Sequence, residues 1–548
     1  MTNKELADLI YPNVTMTIDD LEKKYPERNL KEGAVVSRFA PSPTGFVHMG
    51  SLLASFIESK VPEETDGVFY LRIEDTDQKR SVENGIQGII DDLKNFEIEI
   101  DEGVVSETEQ KGAYGPYIQS ERKEIYEVYA KYLIAEGLAY PCFCSEEELN
   151  EIREIQEHKK ERLGYYGRWA KCRGLSNEER ARRIQNGDKF IIRLKSPGSF
   201  ERKVVINDLV RGKLEFPEND LDIVLIKGDG LPLYHFAHLV DDHLMHTTHV
   251  LRGEEWMPSL PVHVQLFQIM GYEAPKYAHL GIIMKIDEET GSRRKLSKRK
   301  DPEAAVSYYH EKGIPIYATK LYLMTIANSN FELWMEANPD KTLKDFKFDF
   351  KKMSDSGSLF DVDKLFNISK NYISKLTAEE VFDNLSKWAM QYDKDFYDLI
   401  NKYKEYTIDI LNIERNQKKP RKDYACYSEV KDQVFYMYDE LYNPVDYEFQ
   451  KITDKEEIKT ILNTYMDKYY TVSDKETWFN NIKLLCDELG YASDMKAYKL
   501  EPEKFKGNVA DVSTVLRVAL TTKSMTPDLY EIMRLLGKDK IIDRYNNI

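Results

Sequence analysis

Apolar and polar positions along the chain follow two rhythms. A short, largely apolar run over 34–40 gives way to Pro41-Ser42-Pro43-Thr44-Gly45 and then to a helical stretch over about 50–59, which reads as strand, breaker loop and helix. A second strand is predicted over 67–73. A helix is predicted over 84–96, with apolar residues at Ile86, Ile89, Ile90 and Leu93. That succession is the pattern of a doubly wound α/β unit, whose active sites sit at the carboxyl ends of the strands. Residues 113–228 mix helical stretches (122–136 and 146–161) with strand-like runs (190–194 and 222–226) and so read as an inserted α+β domain. The α/β pattern resumes with strand or helix pieces over 233–239 and 249–251, beside a polar Asp241-Asp242-His243 segment, and a helix over 261–270. From 304 to the end the apolar spacing is helical, and no repeat of 20–50 residues is visible. The first 33 residues carry one amphipathic helix around 18–25 and read as an accessory extension without a legible role.

Composition narrows the class of protein. With 548 residues, 42% hydrophobic and 32% charged, the chain can bury several cores. No apolar run reaches the roughly 18 residues of a membrane span, and the start lacks the basic-then-apolar order of a secretory signal, so a cytoplasmic location is expected. Five cysteines in so long a chain do not form a disulfide framework and are expected to be reduced thiols. The formal net charge of -17 argues against a nucleic-acid partner, because phosphate binding needs a positive surface. Basic density is nevertheless concentrated in 293–300, 415–422 and 162–183. Each run taken alone reads as a solvated face.

The segment 38–51 places His48, Gly50 and Ser51 where a strand hands over to a helix. A helix N-terminus there offers unpaired N–H groups to a phosphate, Gly50 allows close backbone approach, and His48 can donate to a phosphoryl oxygen. A loop that merely turns the chain has the same residues. Lys295-Leu296-Ser297-Lys298-Arg299 follows a turn at Gly291 and could stabilise the charge developing on a leaving pyrophosphate. A solvated basic loop looks identical. Their joint occurrence, flanking an α/β pattern with an insertion between them, resembles the two signature motifs of class I aminoacyl-tRNA synthetases. The resemblance narrows to the glutamyl-tRNA synthetase family through Arg-Phe-Ala-Pro-Ser-Pro-Thr-Gly at 38–45, Arg-Ile-Glu-Asp-Thr-Asp at 72–77, Val-Asp-Asp-His at 240–243 and Leu-Arg-Gly-Glu-Glu-Trp at 251–256. It extends to 412–422 and 516–536, which look like the helical anticodon-binding region of bacterial members.

The resemblance implies a Rossmann-type doubly wound α/β catalytic domain (34–112 and 229–303), an inserted acceptor-binding α+β domain (113–228), a stem-contact helical domain (304–380) and an all-helical anticodon-binding region (381–548), after the extension 1–33. It implies ATP-dependent activation of L-glutamate with Mg²⁺, then transfer to the terminal adenosine of tRNA(Glu), by a monomer. The catalytic set carried over is His48, Gly50, Lys295, Ser297 and Lys298, of which His48, Gly50 and Lys298 contact ATP. Arg38 is expected to pair with the side-chain carboxylate of glutamate and Glu74 with its ammonium, since a planar guanidinium can engage a carboxylate bidentately and reject an amide. Ser42, Tyr234 and Arg252 match further pocket positions, and Arg415, Lys418, Lys419, Arg421 and Lys422 are the expected tRNA contacts. His238 stands where some members have Asn. Some members bind zinc through Cys-x-Cys and Cys-x-His. Here Cys142-Phe143-Cys144 matches the first pair, but Trp169 and Lys171 stand where the second is sought, with Cys172 one residue beyond, so no metal is expected. Three rivals stay open: a non-discriminating enzyme that also charges tRNA(Gln), a paralogue that modifies a tRNA base, and a non-catalytic tRNA-binding scaffold.

Overall fold

The computed structural model describes residues 1–44, 47–80, 82–297, 299–444 and 446–548. The chain divides into two units, Met1–Tyr308 with Lys320–Asp361, and Tyr309–Thr319 with Val362–Ile548.

The first unit is built on parallel strands. Val36–Phe39 pairs in parallel with Val68–Leu71, which pairs in parallel with Glu102–Val104, and Gln110–Lys111 closes that side antiparallel. His249–Gly253 pairs in parallel with Lys276–Leu280. The two sheets meet where the Thr248 N–H donates to the Val36 carbonyl at 3.0 Å and the Val36 N–H to Thr248 Oγ1 at 2.8 Å. The parallel strands are buried on both faces, which is why 34–40 reads as a continuous apolar run instead of an alternating one. Helix Met49–Thr65 makes the first crossover, and it starts where the His48 side chain caps it by accepting the Ser51 N–H at 3.2 Å. Helix Gly85–Asn95 makes the second and buries Ile89, Ile90 and Leu93. The run expected as strand or helix at 233–239 is helix Tyr234–Leu244.

Part of the expected insertion belongs to the catalytic sheet. The antiparallel hairpin of Lys203–Asp208 and Gly212–Pro217 adds to the edge strand Lys276–Leu280 through the pairing of Asp208 with Tyr277. Its apolar side, Val204, Ile206, Leu214 and Phe216, packs on Val250, Leu260 and Tyr277. The small antiparallel sheet of Ala139–Cys142, Ile191–Leu194 and Val224–Ile226 stands apart from it.

The extension is packed into this unit. It forms two helices, Asn3–Ile10 and Ile18–Lys24, each opened by a Thr capping box. The Lys131 ammonium donates to the carbonyls of Tyr11 and Val14, Glu22 pairs with His243 at 2.7 Å, and Tyr25 is buried. Arg28 makes a bidentate pair with Glu102 (2.9 and 3.0 Å), donates to the Met245 carbonyl and lies over the Tyr114 ring at 3.9 Å. The extension is thus a clasp across the inserted and catalytic parts of the unit.

The second unit is helical, with a continuous apolar core running from Ile373 to Tyr545 that includes Leu385, Ile410, Val430, Ile461, Ile482, Leu516 and Met533. Among the described residues no helix is long and apolar enough to cross a membrane.

Arg28→Ala removes both the fork and the cation over Tyr114, so the stability of the first unit should fall by about 2–4 kcal/mol in denaturant unfolding. Arg28→Lys should recover less than half of it. An unchanged midpoint would show that the clasp carries no stability.

Candidate active site

The carboxyl ends of the parallel strands open into a cleft of about 890 Å³. Arg38, Ser42, His48, Gly50, Glu74, Tyr234, Arg252, Lys295 and Ser297, nine of the expected site residues, all line it. Lys298, the tenth, lies outside the described residues. Each reaches the cleft for a reason in the chain. Arg38 and Arg252 sit near the ends of Val36–Phe39 and His249–Gly253, and Glu74 lies three residues beyond Val68–Leu71. The two signature segments come together through an antiparallel bridge of His48 with Ala305. A Cβ at Gly50 would lie 3.1 Å from the His48 ring, so glycine there keeps the imidazole in place. Lys295 ends the strand Arg293–Lys295, and the turn after it is held by Asp301, which accepts two bonds from Arg294 (2.6 and 2.7 Å) and the Ser297 N–H at 2.8 Å. Arg294 holds the Asp301 carboxyl well below the usual carboxylate range.

Under the cleft lies a buried charge network. Asp242 accepts from Arg72 at 2.7 Å, Arg38 at 3.3 Å, Thr247 at 3.0 Å and His238. Asp241, one residue earlier on the same helix, accepts from Arg122 at 2.7 Å, Tyr126 at 2.8 Å and Gln119 at 2.9 Å. The two aspartates of the segment that reads as merely polar are therefore fully buried, while His243 is half-buried beside Glu22. Burial alone would raise the Asp242 carboxyl, but Arg72 and Arg38 outweigh it and hold it well below its ordinary value. His238 is also buried and does not line the cleft; burial pushes it down to about 4, so it is neutral and sits between Asp242 and the Tyr277 hydroxyl.

Three carboxyl groups, of Glu58, Glu74 and Glu255, and three cations, Arg38, Arg252 and Lys295, line the cavity. Arg72 holds Glu74 at 3.1 Å, and burial raises the Glu74 pKa against the pull of that arginine. Glu58, from helix Met49–Thr65, lies 3.8 Å from Arg38; burial pushes it up to about 8, and its Oε2 finds no partner among the described residues. Arg252 donates to Tyr234 Oη at 3.2 Å, and its Nη2 likewise finds no acceptor among the described residues. A buried guanidinium N–H without an acceptor costs roughly 1–3 kcal/mol, which an anionic ligand would offset. The Tyr234 ring leans on Trp256 at 4.3 Å.

Three cysteines that do not line this cleft also converge. The Sγ atoms of Cys142, Cys144 and Cys172 lie within 4.8 Å of one another. The Tyr165 hydroxyl is 3.4 Å from the first and 3.3 Å from the second, and accepts the Cys172 N–H at 3.0 Å. The short turns Gly167–Trp169 and Lys171–Gly174 carry Cys172 to the place where the spacing sought Trp169 or Lys171. Three thiols supply three of the four ligands that a tetrahedral structural zinc takes, and the Tyr165 hydroxyl stands beside them.

In the helical unit the expected basic segment splits. Arg415 is buried and donates to the carbonyls of Leu411, Ile373 and Leu376 at 2.7–2.9 Å, so it holds the chain and presents no charge to a phosphate. That corrects its expected contact with tRNA. Lys418, Lys419 and Lys422 are exposed. Arg421 is paired with Asp423 and Glu414 and lines a second cleft of about 710 Å³ with Lys475, Trp478, Phe479, Arg517, Thr526 and Pro527. Sequence reasoning missed the last six; the one signal was the adjacent Trp478-Phe479 pair, of which Phe479 remains exposed.

A strand-end cleft joined to two signature segments, in a chain that also carries a helical unit with exposed Lys418, Lys419 and Lys422, defines a class I tRNA synthetase. The comparisons agree: the family described as tRNA synthetases class I (E and Q), catalytic domain, matches residues 34–366, and that described as anticodon binding domain matches 419–548. This chain belongs to the class I tRNA synthetases of the glutamate and glutamine branch. It is 50% identical to the glutamate–tRNA ligase of Clostridium perfringens (strain SM101 / Type A) over 548 residues, 100% of this chain and 99% of the relative. It is 46% identical to that of Acetivibrio thermocellus over 100% of both. Among solved structures it resembles a glutamate tRNA ligase from Elizabethkingia meningosepticum in complex with its amino acid, with a TM-score of 0.75 and 25% identity over 94% of this chain and 99% of that one.

Glu58 gives a pH test of the cleft. Its folded pKa of about 8 lies above the ordinary carboxyl value of 4.5, so it contributes stability fully below pH 4.5 and loses it as pH rises through 8. Glu58→Gln should match the parent at pH 5 and unfold at a higher temperature at pH 9. Equal midpoints at both would contradict the raised carboxyl.

Proposed function

We propose that this chain is a glutamate–tRNA ligase, which activates L-glutamate with ATP and transfers it to the terminal adenosine of tRNA(Glu). The observation that carries this reading is one cleft holding both signature segments together with Arg38, Arg252 and Glu74, a charge set complementary to a dicarboxylic amino acid. Arg38 faces the side-chain carboxylate and Glu74 the ammonium, while Arg252, Tyr234 and Ser42 complete the pocket. Arg38 keeps its charge at any physiological pH because Asp242 lies beneath it. The α-carboxylate of glutamate attacks the α-phosphate of ATP and pyrophosphate leaves. The 2′-hydroxyl of the adenosine then attacks the glutamyl carbonyl and AMP leaves. Mg²⁺ accompanying ATP neutralises phosphate charge; His48, Lys295 and the turn at Ser297, with Lys298, supply the protein's share of that work, and Gly50 leaves room for the nucleoside. No covalent enzyme intermediate is needed.

Lys418, Lys419, Arg421 and Lys422 supply phosphate contacts. The cleft with Trp478, Phe479 and Arg517 suits unstacked bases, because aromatic faces and guanidiniums hold splayed bases in single-stranded loops. The chain works in the cytoplasm as a monomer. Cys142, Cys144, Cys172 and Tyr165 hold one zinc that braces the inserted sheet and takes no part in the chemistry.

ATP–pyrophosphate exchange and charging assays with purified tRNA(Glu) and tRNA(Gln) test this reading. Glutamate-dependent exchange and charging of tRNA(Glu) are expected; charging of tRNA(Gln) as well identifies the non-discriminating form, and use of glutamine or no charging at all refutes the reading. Arg38→Ala should cut kcat/KM for glutamate by about 10²-fold or more, the effect of losing one charge-assisted pair. Elemental analysis should find one zinc per chain that Cys144→Ser loses, with a lower unfolding temperature and exchange retained. A metal-free parent would remove the zinc assignment.

A further inference from the structure

Arg252 is held from behind by nitrogen lone pairs and not by a carboxylate. Its Nε–H donates to Nε2 of His279 at 2.9 Å, and its Nη1 lies 3.1 Å from Nδ1 of His263. Arginine only donates, so both imidazoles must be neutral, and each must carry its proton on the nitrogen facing away from the guanidinium. For His263 that nitrogen is Nε2, 2.8 Å from Nδ1 of His235, which accepts it. For His279 it is Nδ1, 2.7 Å from Oδ2 of Asp208. A carboxylate can only accept, so Asp208 keeps the proton on Nδ1 and leaves Nε2 as a lone pair.

Asp208 is itself fixed in orientation. Its Oδ1 accepts the N–H groups of Val210 and Arg211, both at 3.0 Å, and its Oδ2 takes the His279 ring together with the His279 backbone N–H at 3.1 Å. Asp208 and His279 are both buried. Burial lowers the pKa of all three histidines, His235 to about 4, and this agrees with the neutral forms that the geometry requires.

We propose that Asp208 and His279 are positioning residues for the amino-acid pocket, which fix one imidazole tautomer and thereby hold the guanidinium of Arg252 in the orientation that receives a substrate carboxylate. The proposal rests on reading Arg252 as a glutamate-binding residue. Asp208 lines no part of the cleft. It ends the strand Lys203–Asp208 of the hairpin at the sheet edge, so that hairpin sets the geometry of a pocket it does not touch.

Asp208→Asn tests the tautomer with almost no change of volume. The amide keeps its oxygen on the N–H groups of Val210 and Arg211, which turns its NH₂ toward Nδ1 of His279. The ring then has to move its proton to Nε2, where it meets the Nε–H of Arg252 donor to donor. In pyrophosphate exchange the KM for glutamate should rise about tenfold or more with the KM for ATP unchanged; the same NH₂ also meets the His279 backbone N–H, so the unfolding midpoint falls in the single and the double variant alike. His279→Gln offers an oxygen acceptor that has no tautomer, so the double variant should regain most of the lost glutamate affinity. The ¹⁵N shifts of His279 should exchange their protonated and unprotonated values in Asp208→Asn alone.

An unchanged glutamate KM overturns the relay. So does an equal rise for glutamate and ATP, or a double variant no better than Asp208→Asn, because either leaves Asp208 a structural part only. Arg252→Ala separates the relay from the reading beneath it. If that variant raises the glutamate KM while Asp208→Asn does not, only the relay falls; if Arg252→Ala leaves it unchanged, the substrate reading of Arg252 falls and the relay with it.

Discussion

Everything at the cleft depends on the burial of Asp242. Its carboxylate is shared by Arg72 and Arg38 at 2.7 and 3.3 Å, with no exposure to water. Taking such charges out of water costs several kcal/mol per ion and is offset only where every lone pair is met. Here Thr247 and His238 meet the remainder, and Asp241 repeats the arrangement with Arg122 on the next face of the helix. The gain is rigidity more than stability. Arg38 cannot swing away from the cavity without leaving Asp242 partly unpaired, so the cation is already in place before a ligand arrives, which is the condition for selective recognition of a carboxylate.

The same logic distributes the remaining roles. Groups that face the cavity are each held by a second group that does not: Glu74 by Arg72, Arg252 by His279 and His263, the turn at Ser297 by Asp301. The holding groups come from widely separated parts of the chain, since Arg72 and Asp242 are 170 residues apart and Arg38 and Asp242 are 204. The doubly wound topology brings them together because it stacks successive strand ends along one rim.

That separation explains what could be read from the sequence and what could not. The strands at 34–40 and 67–73 and the helix at 84–96 were legible because local apolar spacing decides them. The cleft was legible because its signature segments are contiguous runs. Asp241 and Asp242 read only as a polar segment within a signature run, since no local signal reveals that their arginines lie more than a hundred positions away. The hairpin 203–217 read as part of the insertion because its alternating pattern says that one face is covered without saying by what. Arg415 looked like its basic neighbours Lys418 and Lys419, yet a single helical turn decides that its guanidinium points inward to the carbonyls of Ile373 and Leu376. Cys172 stands one residue beyond the spacing of the zinc-binding members, and short turns absorb such a difference.

The clasp made by the first 33 residues also constrains how the chain is made. Arg28 closes on the Met245 carbonyl 217 residues later, and Glu22 on His243 221 residues later. At a synthesis rate of 5–20 residues per second, the extension leaves the ribosome about 10–40 s before those partners exist. Leu6, Leu21 and Tyr25, all buried in the finished protein, wait first for Gly115, Arg122 and the helix Lys123–Ala135, on which the extension packs, and the clasp closes only when His243 and Met245 follow. The segment that seems most peripheral in the sequence is therefore seated in two stages, first on the inserted part and then on the catalytic part made after it, so the clasp is complete only once both have been synthesised.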